Sequence, residues 1–367
     1  MTDAAAIRAE AAALQAVFLD AGAMPVEAPV LASADTLLDL YGEDIRSRAF
    51  TTQDPDRGEM MLRPDFTVPV VEMHMASGAE PARYTYLGDV FRMQAAGSGR
   101  PTEYLQLGYE VFDRANPLAA DAEVFALIAK ALSDLSTRAV TGDIGILLAA
   151  IQALDTTDAR KAALRRHVWR PRRFRALLDR FTGAASVPVG RAAFLTSVEE
   201  EGLAALIAQA GPSIGLRTTD EMSVRLERMR AEAAADPIAP DHAEVFLELL
   251  SLKAPLPDAC NALMDFAVDL PAMRPAVERL AARNAALIAA GVDISDLPFE
   301  ASYGRTQMEY YDGFVFGFLS QTPGLQPLAT GGRYDALTRQ LGQGREIPAV
   351  GGVIRPEQVA KAREAAQ

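Results

Sequence analysis

The segment 84–112, YTYLGDVFRMQAAGSGRPTEYLQLGYEVF, constrains the fold more than any other part of the chain. It contains two strand-like runs, 84–92 and 104–112, on either side of a glycine-rich turn. This pattern predicts a β-hairpin, whose two strands pair antiparallel. Hairpins come first, helices follow, and strand character returns at 310–320, so the sequence predicts an α+β fold built on an antiparallel sheet.

The second strand of this hairpin carries polar residues on one face. Because alternate residues of a strand share a face, Gln106, Gly108 and Glu110 lie on one surface, and the apolar residues between them face the core. Gly108 predicts a gap of small-ligand size, and Arg92, at the end of the partner strand, is expected to reach the same surface. Such a set suits an amphoteric ligand, because carboxylates bind cations and guanidinium groups bind carboxylates or phosphates. The alternative is an exposed, solvated sheet face, which is common in antiparallel sheets.

The middle of the chain differs in amino-acid composition from both ends. Residues from about 155 to 290 are rich in Ala, Leu, Arg and Glu, with breaks at Pro and Gly, which predicts a mostly helical insertion. The sequence therefore divides into one domain formed by 1–155 plus 290–367 and an inserted helical segment at 155–290.

Composition excludes several classes of protein. The net charge of −13 argues against nucleic-acid binding, which needs an excess of Lys and Arg. The single cysteine, Cys260, fits a reducing cytoplasm. The sequence shows neither a signal peptide nor a membrane span, and its three histidines have no metal-site spacing. We therefore predict a cytoplasmic protein without a metal or cofactor.

Several sequence blocks resemble, in order, the core of histidyl-tRNA synthetase and its paralogues. The blocks are LRPDFTVPV (62–70), YLGDVFRMQ…GRPTEYLQLGYEVF (86–112), MEYYDGFVF (308–316) and ATGGRYDAL (329–337). A further block, APVLASADTLL (28–38), resembles the first class II motif, which supplies the dimer interface in that family. The resemblance implies a class II antiparallel sheet, a homodimer and a histidine pocket.

The same resemblance implies a set of histidine-binding residues. Asp65 and Thr67 match the Glu and Thr of an RPEGT segment, and Arg92 and Arg100 match the arginines of motif 2 and its loop. Gln106 and Glu110 match the histidine-contacting pair. Tyr310 and Tyr311 match the paired tyrosines of the histidine-specific block.

Other positions depart from the synthetase pattern. Thr306 stands where the histidine-specific block has an arginine, with Arg305 one position away, so both are possible pocket residues. Motif 3 of synthetases reads roughly AVGFALGLERL, whereas residues 349–359 read AVGGVIRPEQV, so that Gln358 replaces an ATP-contacting arginine and Pro356 interrupts the motif. These changes predict a site that has lost cations needed for adenylation, where one stabilising group contributes about 10²–10³ in rate.

The chain after this motif is too short for an anticodon-binding domain, so none is predicted. A synthetase-like core with these departures resembles the regulatory subunits of ATP phosphoribosyltransferase. In that family the protein is not catalytic, forms a hetero-octamer with a short-form catalytic subunit, and takes part in feedback inhibition by L-histidine. The open alternatives are a truncated enzyme that adenylates histidine or another amino acid, and a scaffold whose pocket has lost its ligand.

Three further features have a functional and a structural interpretation. The run RRHVWRPRRFR (165–175), which contains Trp169, fits a protein interface or a solvated helix face over a packed tryptophan. Arg333 of the GGRYD block fits the cleft or an ion pair with Asp335. His74 is expected to be a buried structural histidine.

Overall fold

The computed structural model describes residues 4–41, 43–95, 97–186, 189–211, 218–305 and 310–366. Its strands, in chain order, are β1 (Met24–Pro25), β2 (Leu31–Ser33), β3 (Thr51–Asp54), β4 (Gly58–Leu62), β5 (Ala82–Phe91), β6 (Glu103–Phe112), β7 (Thr137–Asp143), β8 (Lys253–Pro255), β9 (Pro298–Glu300), β10 (Phe314–Ser320), β11 (Ala329–Arg333) and β12 (Ala349–Ile354).

Most of these strands form one nine-stranded sheet, in the order β1-β5-β6-β12-β11-β10-β7-β9-β8. The six central strands, from β5 to β7, pair antiparallel throughout. The strands β2, β4 and β3 form a separate small antiparallel sheet. The predicted hairpin is therefore present, and its strands β5 and β6 lie towards one side of the large sheet.

The helices are α1 (Ala4–Asp20), α2 (Ala34–Tyr41), α3 (Thr67–Ser77), α4 (Pro117–Ala131), α5 (Ile144–Ala153), α6 (Asp158–Arg166), α7 (Pro171–Phe181), α8 (Val189–Glu201), α9 (Leu203–Gln209), α10 (Thr219–Ala234), α11 (Pro240–Ser251), α12 (Leu256–Asp269), α13 (Arg274–Ala289), α14 (Asp335–Leu341) and α15 (Pro356–Ala366). Short 3-10 helices occupy Glu43–Ser47 and Pro271–Met273. Among the described helices, none combines the length and apolar character that crossing a bilayer requires.

The core lies between the sheet and the helices that cover it. Helix α4 packs on β12 and also on α13, the last helix of the segment predicted as an insertion. Aromatic side chains fill this layer, including Phe125 of α4 against Phe316 and Phe318 of β10, with ring centroids 5.4 and 5.0 Å apart. Between α5 and β9, the described residues form helices and their connections apart from β8, which pairs with β9 at the sheet edge. The division into two domains stays a prediction.

A buried cluster of charges connects α13 to the sheet. Arg283 of α13 donates to Asp143 at the end of β7 (2.7 Å) and lies 3.8 Å from Asp121 of α4. Asp121 in turn accepts two hydrogen bonds from Arg333 of β11, at 2.8 and 3.0 Å. All four side chains are buried, so each charge depends on the others to replace the water it has lost.

Candidate functional site

A cavity of about 320 Å³ opens beside the connection between β5 and β6. Its wall combines the strand β6, the start of α3 with the loop before it, the segment that precedes β10, the strand β11, and the end of β12 with the start of α15. Seven of the eight residues implied by the family resemblance line it, namely Asp65, Thr67, Arg92, Arg100, Gln106, Tyr310 and Tyr311. The sequence blocks converge on one site, although Asp65 and Tyr311 lie 246 positions apart in the sequence.

The loop before α3 is held in place by the end of β5. Arg92 Nε donates to the carbonyl of Pro64 at 2.6 Å, which fixes the loop that carries Asp65. Asp65 is 3% exposed and its Oδ1 accepts from the backbone N–H of Val68, 3.4 Å away, in the first turn of α3. The loop thus presents a buried carboxylate to the cavity from a fixed position.

Gln106 is the polar group of the cavity wall with the clearest need for a ligand. Its side chain is 3% exposed, and its Oε1 atom has no hydrogen-bond partner among the described residues. Buried polar atoms are nearly always satisfied, because leaving one unpaired costs about 1–3 kcal/mol. A ligand N–H group placed in the cavity would satisfy this oxygen.

The aromatic side of the cavity is formed by the adjacent Tyr310 and Tyr311. Their rings meet edge to face, with centroids 5.0 Å apart and an interplanar angle of 77°. Tyr311 is buried, and burial raises the pKa of its hydroxyl. Neutral phenol rings of this kind can pack against a flat ligand group while their hydroxyls donate.

Glu110 does not line the cavity, contrary to the prediction from its strand face. It lies beneath the wall, 1% exposed, and accepts hydrogen bonds from three hydroxyls: Thr67 at 3.1 Å, Tyr86 at 3.0 Å and Tyr334 at 2.5 Å. Burial raises its pKa to about 7 against the hydrogen bonds from these hydroxyls, which lower it. The carboxyl therefore holds three elements together under the site.

The predicted gap at Gly108 is wrong. Tyr86 lies opposite Gly108 in the β5–β6 register, and a Cβ atom at Gly108 would stand 2.0 Å from the Tyr86 ring. The space that glycine leaves is thus filled by the ring whose hydroxyl binds Glu110. Gly351 plays the same part on β12, where a Cβ would meet the Glu110 carboxylate at 1.4 Å.

Positive charge is concentrated in the cavity, although the motif 3 departures predicted its loss. Four guanidinium groups line it, from Arg48, Arg92, Arg100 and Arg355, with two carboxylates, from Asp65 and Glu357. Arg355 was missed by sequence reasoning, although it is the one arginine of the stretch that departs from motif 3. Its guanidinium donates to Pro327 O at 2.9 Å and to Thr330 Oγ1 at 3.2 Å.

Gln358 does line the cavity, and its Oε1 accepts from the backbone N–H of Gln326 at 3.3 Å. The predicted interruption at Pro356 is wrong, since β12 ends at Ile354 and Pro356 begins α15. Proline suits this first helical position because its φ is already helical and the missing N–H would have had no partner within the helix.

Two of the three possible pocket residues lie elsewhere. Arg305 is buried away from the cavity, where its Nε donates to Val168 O at 2.8 Å and its guanidinium lies 4.9 Å from the Phe174 ring centroid. Arg333 belongs to the buried charge cluster and also pairs with Asp335 at 3.0 Å, so its cleft assignment is wrong. Thr306 lies outside the described residues.

His74 is structural, as expected. It is fully buried, its Nδ1 lies 3.0 Å from the hydroxyl of Tyr84, and its ring stacks on Phe112. Within the described residues, no group of three or more His, Cys, Asp or Glu side chains has the arrangement of a metal site.

Sequence comparisons connect this geometry to known proteins. The histidyl-tRNA synthetase family model matches residues 2–231 and 223–359. The ATP phosphoribosyltransferase regulatory subunit of Brucella anthropi is 31% identical over 347 residues, covering 89% of both chains. The protein of the same description from Mesorhizobium japonicum is 32% identical over 363 residues, covering 93% of this chain and 94% of the relative.

Solved structures match the fold over nearly the whole chain. An ATP phosphoribosyltransferase regulatory subunit/histidyl-tRNA synthetase from Bacillus halodurans C superposes with a TM-score of 0.69 at 21% identity, covering 99% of this chain and 81% of the other. A histidine–tRNA ligase subunit from Alicyclobacillus acidocaldarius gives 0.61 at 23% identity, covering 100% and 96%. The predicted class II synthetase-like α+β fold is confirmed, and the chain belongs to the family of ATP phosphoribosyltransferase regulatory subunits.

Proposed function

We propose that this protein is the non-catalytic regulatory subunit of ATP phosphoribosyltransferase, and that its cavity binds L-histidine for feedback inhibition. It works with a short-form catalytic subunit at the first step of histidine biosynthesis, in the cytoplasm. Its own copies pair as a homodimer through the 28–38 segment, within a hetero-octamer. Family membership supports the regulatory role, and the cavity supports the choice of ligand.

The observation that carries the ligand assignment is the oxygen of Gln106, which has no partner among the described residues, in the same cavity wall as the buried carboxylate of Asp65. Together they offer acceptors for the ammonium or imidazole N–H groups of histidine. The guanidinium groups across the cavity suit its carboxylate. An amino acid with a cationic end, an anionic end and a flat ring matches the hydrogen-bond acceptors, the guanidinium groups and the tyrosine rings of the cavity wall.

Calorimetric titration with L-histidine tests this assignment, on the protein alone and on its complex with the catalytic subunit. Gln106→Leu should weaken binding by about tenfold, because a lost hydrogen bond near a charged group is worth about 1.5 kcal/mol. Gln152→Leu, at an exposed position of α5, serves as the matched control. Equal affinities of both variants for L-histidine would mean that histidine does not bind in this cavity.

One observation favours the alternative of an adenylating enzyme, namely the four arginines of the cavity. Histidine-dependent exchange between ATP and pyrophosphate separates the two functions. A regulatory subunit shows no exchange but raises the transferase activity of the catalytic subunit when the two are mixed. Clear exchange by the pure protein, without any effect on the transferase, would reverse the assignment.

A further inference from the structure

Helices α6 and α7 meet at a corner rich in exposed arginines. Arg165 and Arg166 lie in the last turn of α6, and Arg172 and Arg173 lie in the first turn of α7, with Arg175 following. All five are exposed. We call these five residues the arginine corner.

Most of these charges have no counter-charge within the part of the chain that the structure describes. Arg175 pairs with Asp179 at 2.8 Å. The side chains of the other four make no ion pair or hydrogen bond with any residue that the structure describes. This local excess of positive charge is opposite in sign to the net charge of the whole chain, which is −13.

The fold does not require this charge. Helix α7 is held by its apolar face, where Phe174, Leu178 and Phe181 are buried and Phe174 stacks on Phe246 of α11. The first turn of α7 has no acidic residue, so its two arginines oppose the helix dipole, which favours negative charge at that end. The two charges in the first turn of α7 are therefore unfavourable for the isolated helix and suit an external partner, whereas Arg165 and Arg166 in the last turn of α6 are favourable for its dipole.

The corner is also attached to the segment that leads to the cavity. Arg305 donates to the carbonyl of Val168, in the turn between α6 and α7, and its guanidinium packs over the ring of Phe174. Arg305 precedes Tyr310 by five positions. The turn that carries the corner is therefore held by a buried contact to a residue close in sequence to the cavity tyrosines.

We propose that the arginine corner is the docking surface for an acidic patch on the catalytic subunit. This inference rests on the regulatory role proposed above. Trp169 lies half-buried in the same turn, and tryptophan beside arginine is typical of protein interface hot spots. A nucleic acid fits poorly because of the overall negative charge. A second copy of the chain fits poorly because a contact between unlike surfaces does not close a two-fold dimer.

The test compares two double charge reversals of equal size in the full-length protein. Arg172→Glu with Arg173→Glu changes the corner, whereas Arg274→Glu with Arg279→Glu changes two exposed positions of α13. Affinity for the short-form catalytic subunit of the same organism is measured by analytical ultracentrifugation at low and high salt. The corner variant should bind on the order of 100-fold more weakly at low salt, because like charges then face each other. The control variant should stay within about threefold of the wild type.

Circular dichroism and histidine titration show whether each variant is folded. If the corner variant does not fold, a photo-crosslinking residue in place of Arg173 gives the second measurement, and it should capture the catalytic subunit. Equal affinity of both variants, or no crosslink in an intact complex, would refute the docking surface and leave the regulatory role unaffected. Failure of the wild-type pair to form at all would instead contradict the regulatory role.

Two other results would also overturn the proposal. RNA binding that is lost in the corner variant, with assembly unchanged, would assign the surface to a nucleic acid. Dissociation of a homo-oligomer in the corner variant, again with the catalytic subunit still bound, would assign it to contacts between copies of this chain.

Discussion

The buried carboxyl of Glu110 makes a quantitative prediction about stability and pH. Burial raises its pKa from 4.5 to about 7 in the folded protein, so the fold favours the neutral form. The folded protein therefore binds more protons than the unfolded chain between these two values, and stability falls as pH rises through this window. The shift corresponds to about 3 kcal/mol of unfolding free energy, lost by pH 8.

Replacement of Glu110 by Gln removes the ionisation and keeps the shape of the side chain. Its amide oxygen accepts from Thr67 and Tyr86, and the Tyr334 hydroxyl rotates to accept from the amide NH₂. We therefore expect the free energy of unfolding of Glu110→Gln, relative to wild type, to rise by about 2.5 kcal/mol between pH 5 and pH 8. Urea denaturation of both proteins across this range measures the difference.

The difference between the two proteins isolates Glu110 from other titrating groups. Asp312 also has a pKa raised by burial to about 7, but it is present in both and cancels. Glu110→Ala is the control for hydrogen bonding, because it leaves three hydroxyls without their acceptor and should be destabilised at every pH. Parallel pH profiles for wild type and Glu110→Gln would refute the reasoning.

Three further changes have defined outcomes. Asp65→Asn should weaken histidine binding by about tenfold in calorimetry, because the amide oxygen still accepts a hydrogen bond but no longer carries the charge that strengthens it; unchanged affinity would place the ligand's cationic end elsewhere. Gly108→Ala should lower the free energy of unfolding by about 1–3 kcal/mol in urea, since its Cβ would stand 2.0 Å from the Tyr86 ring; a neutral effect would mean that the ring moves freely. Asp121→Ala should cost about 3–5 kcal/mol by leaving Arg283 and Arg333 short of a counter-charge, measured by the same denaturation and contradicted by a loss below 1 kcal/mol.

The hairpin shows what local sequence can and cannot predict. Alternation along β6 correctly separated its polar face from its apolar face, because the period of a strand depends only on its own backbone. Which side chains of the polar face reach the cavity and which are buried depended on the neighbouring strand. The register that places Tyr86 opposite Gly108 turned an expected ligand slot into a filled space, and it turned Glu110 from a wall residue into a buried acceptor.

The arginines show a similar limit. Arg92 and Arg100 reach the cavity as the resemblance implied, because they lie on the hairpin and its connection. Arg333 forms its main ion pair with Asp121, which is 212 positions away, and no local pattern predicts such a partner. Arg355 lies in the cavity at a position where motif 3 of the synthetases has no arginine, so the resemblance could not predict it.

The charge cluster of Asp121, Asp143, Arg283 and Arg333 restricts how the helical segment can move. Any swing that separated α13 from the sheet would leave carboxylates and guanidinium groups unpaired in a medium of low polarity. Helix α13 therefore stays fixed to the sheet in any motion that keeps these four charges paired.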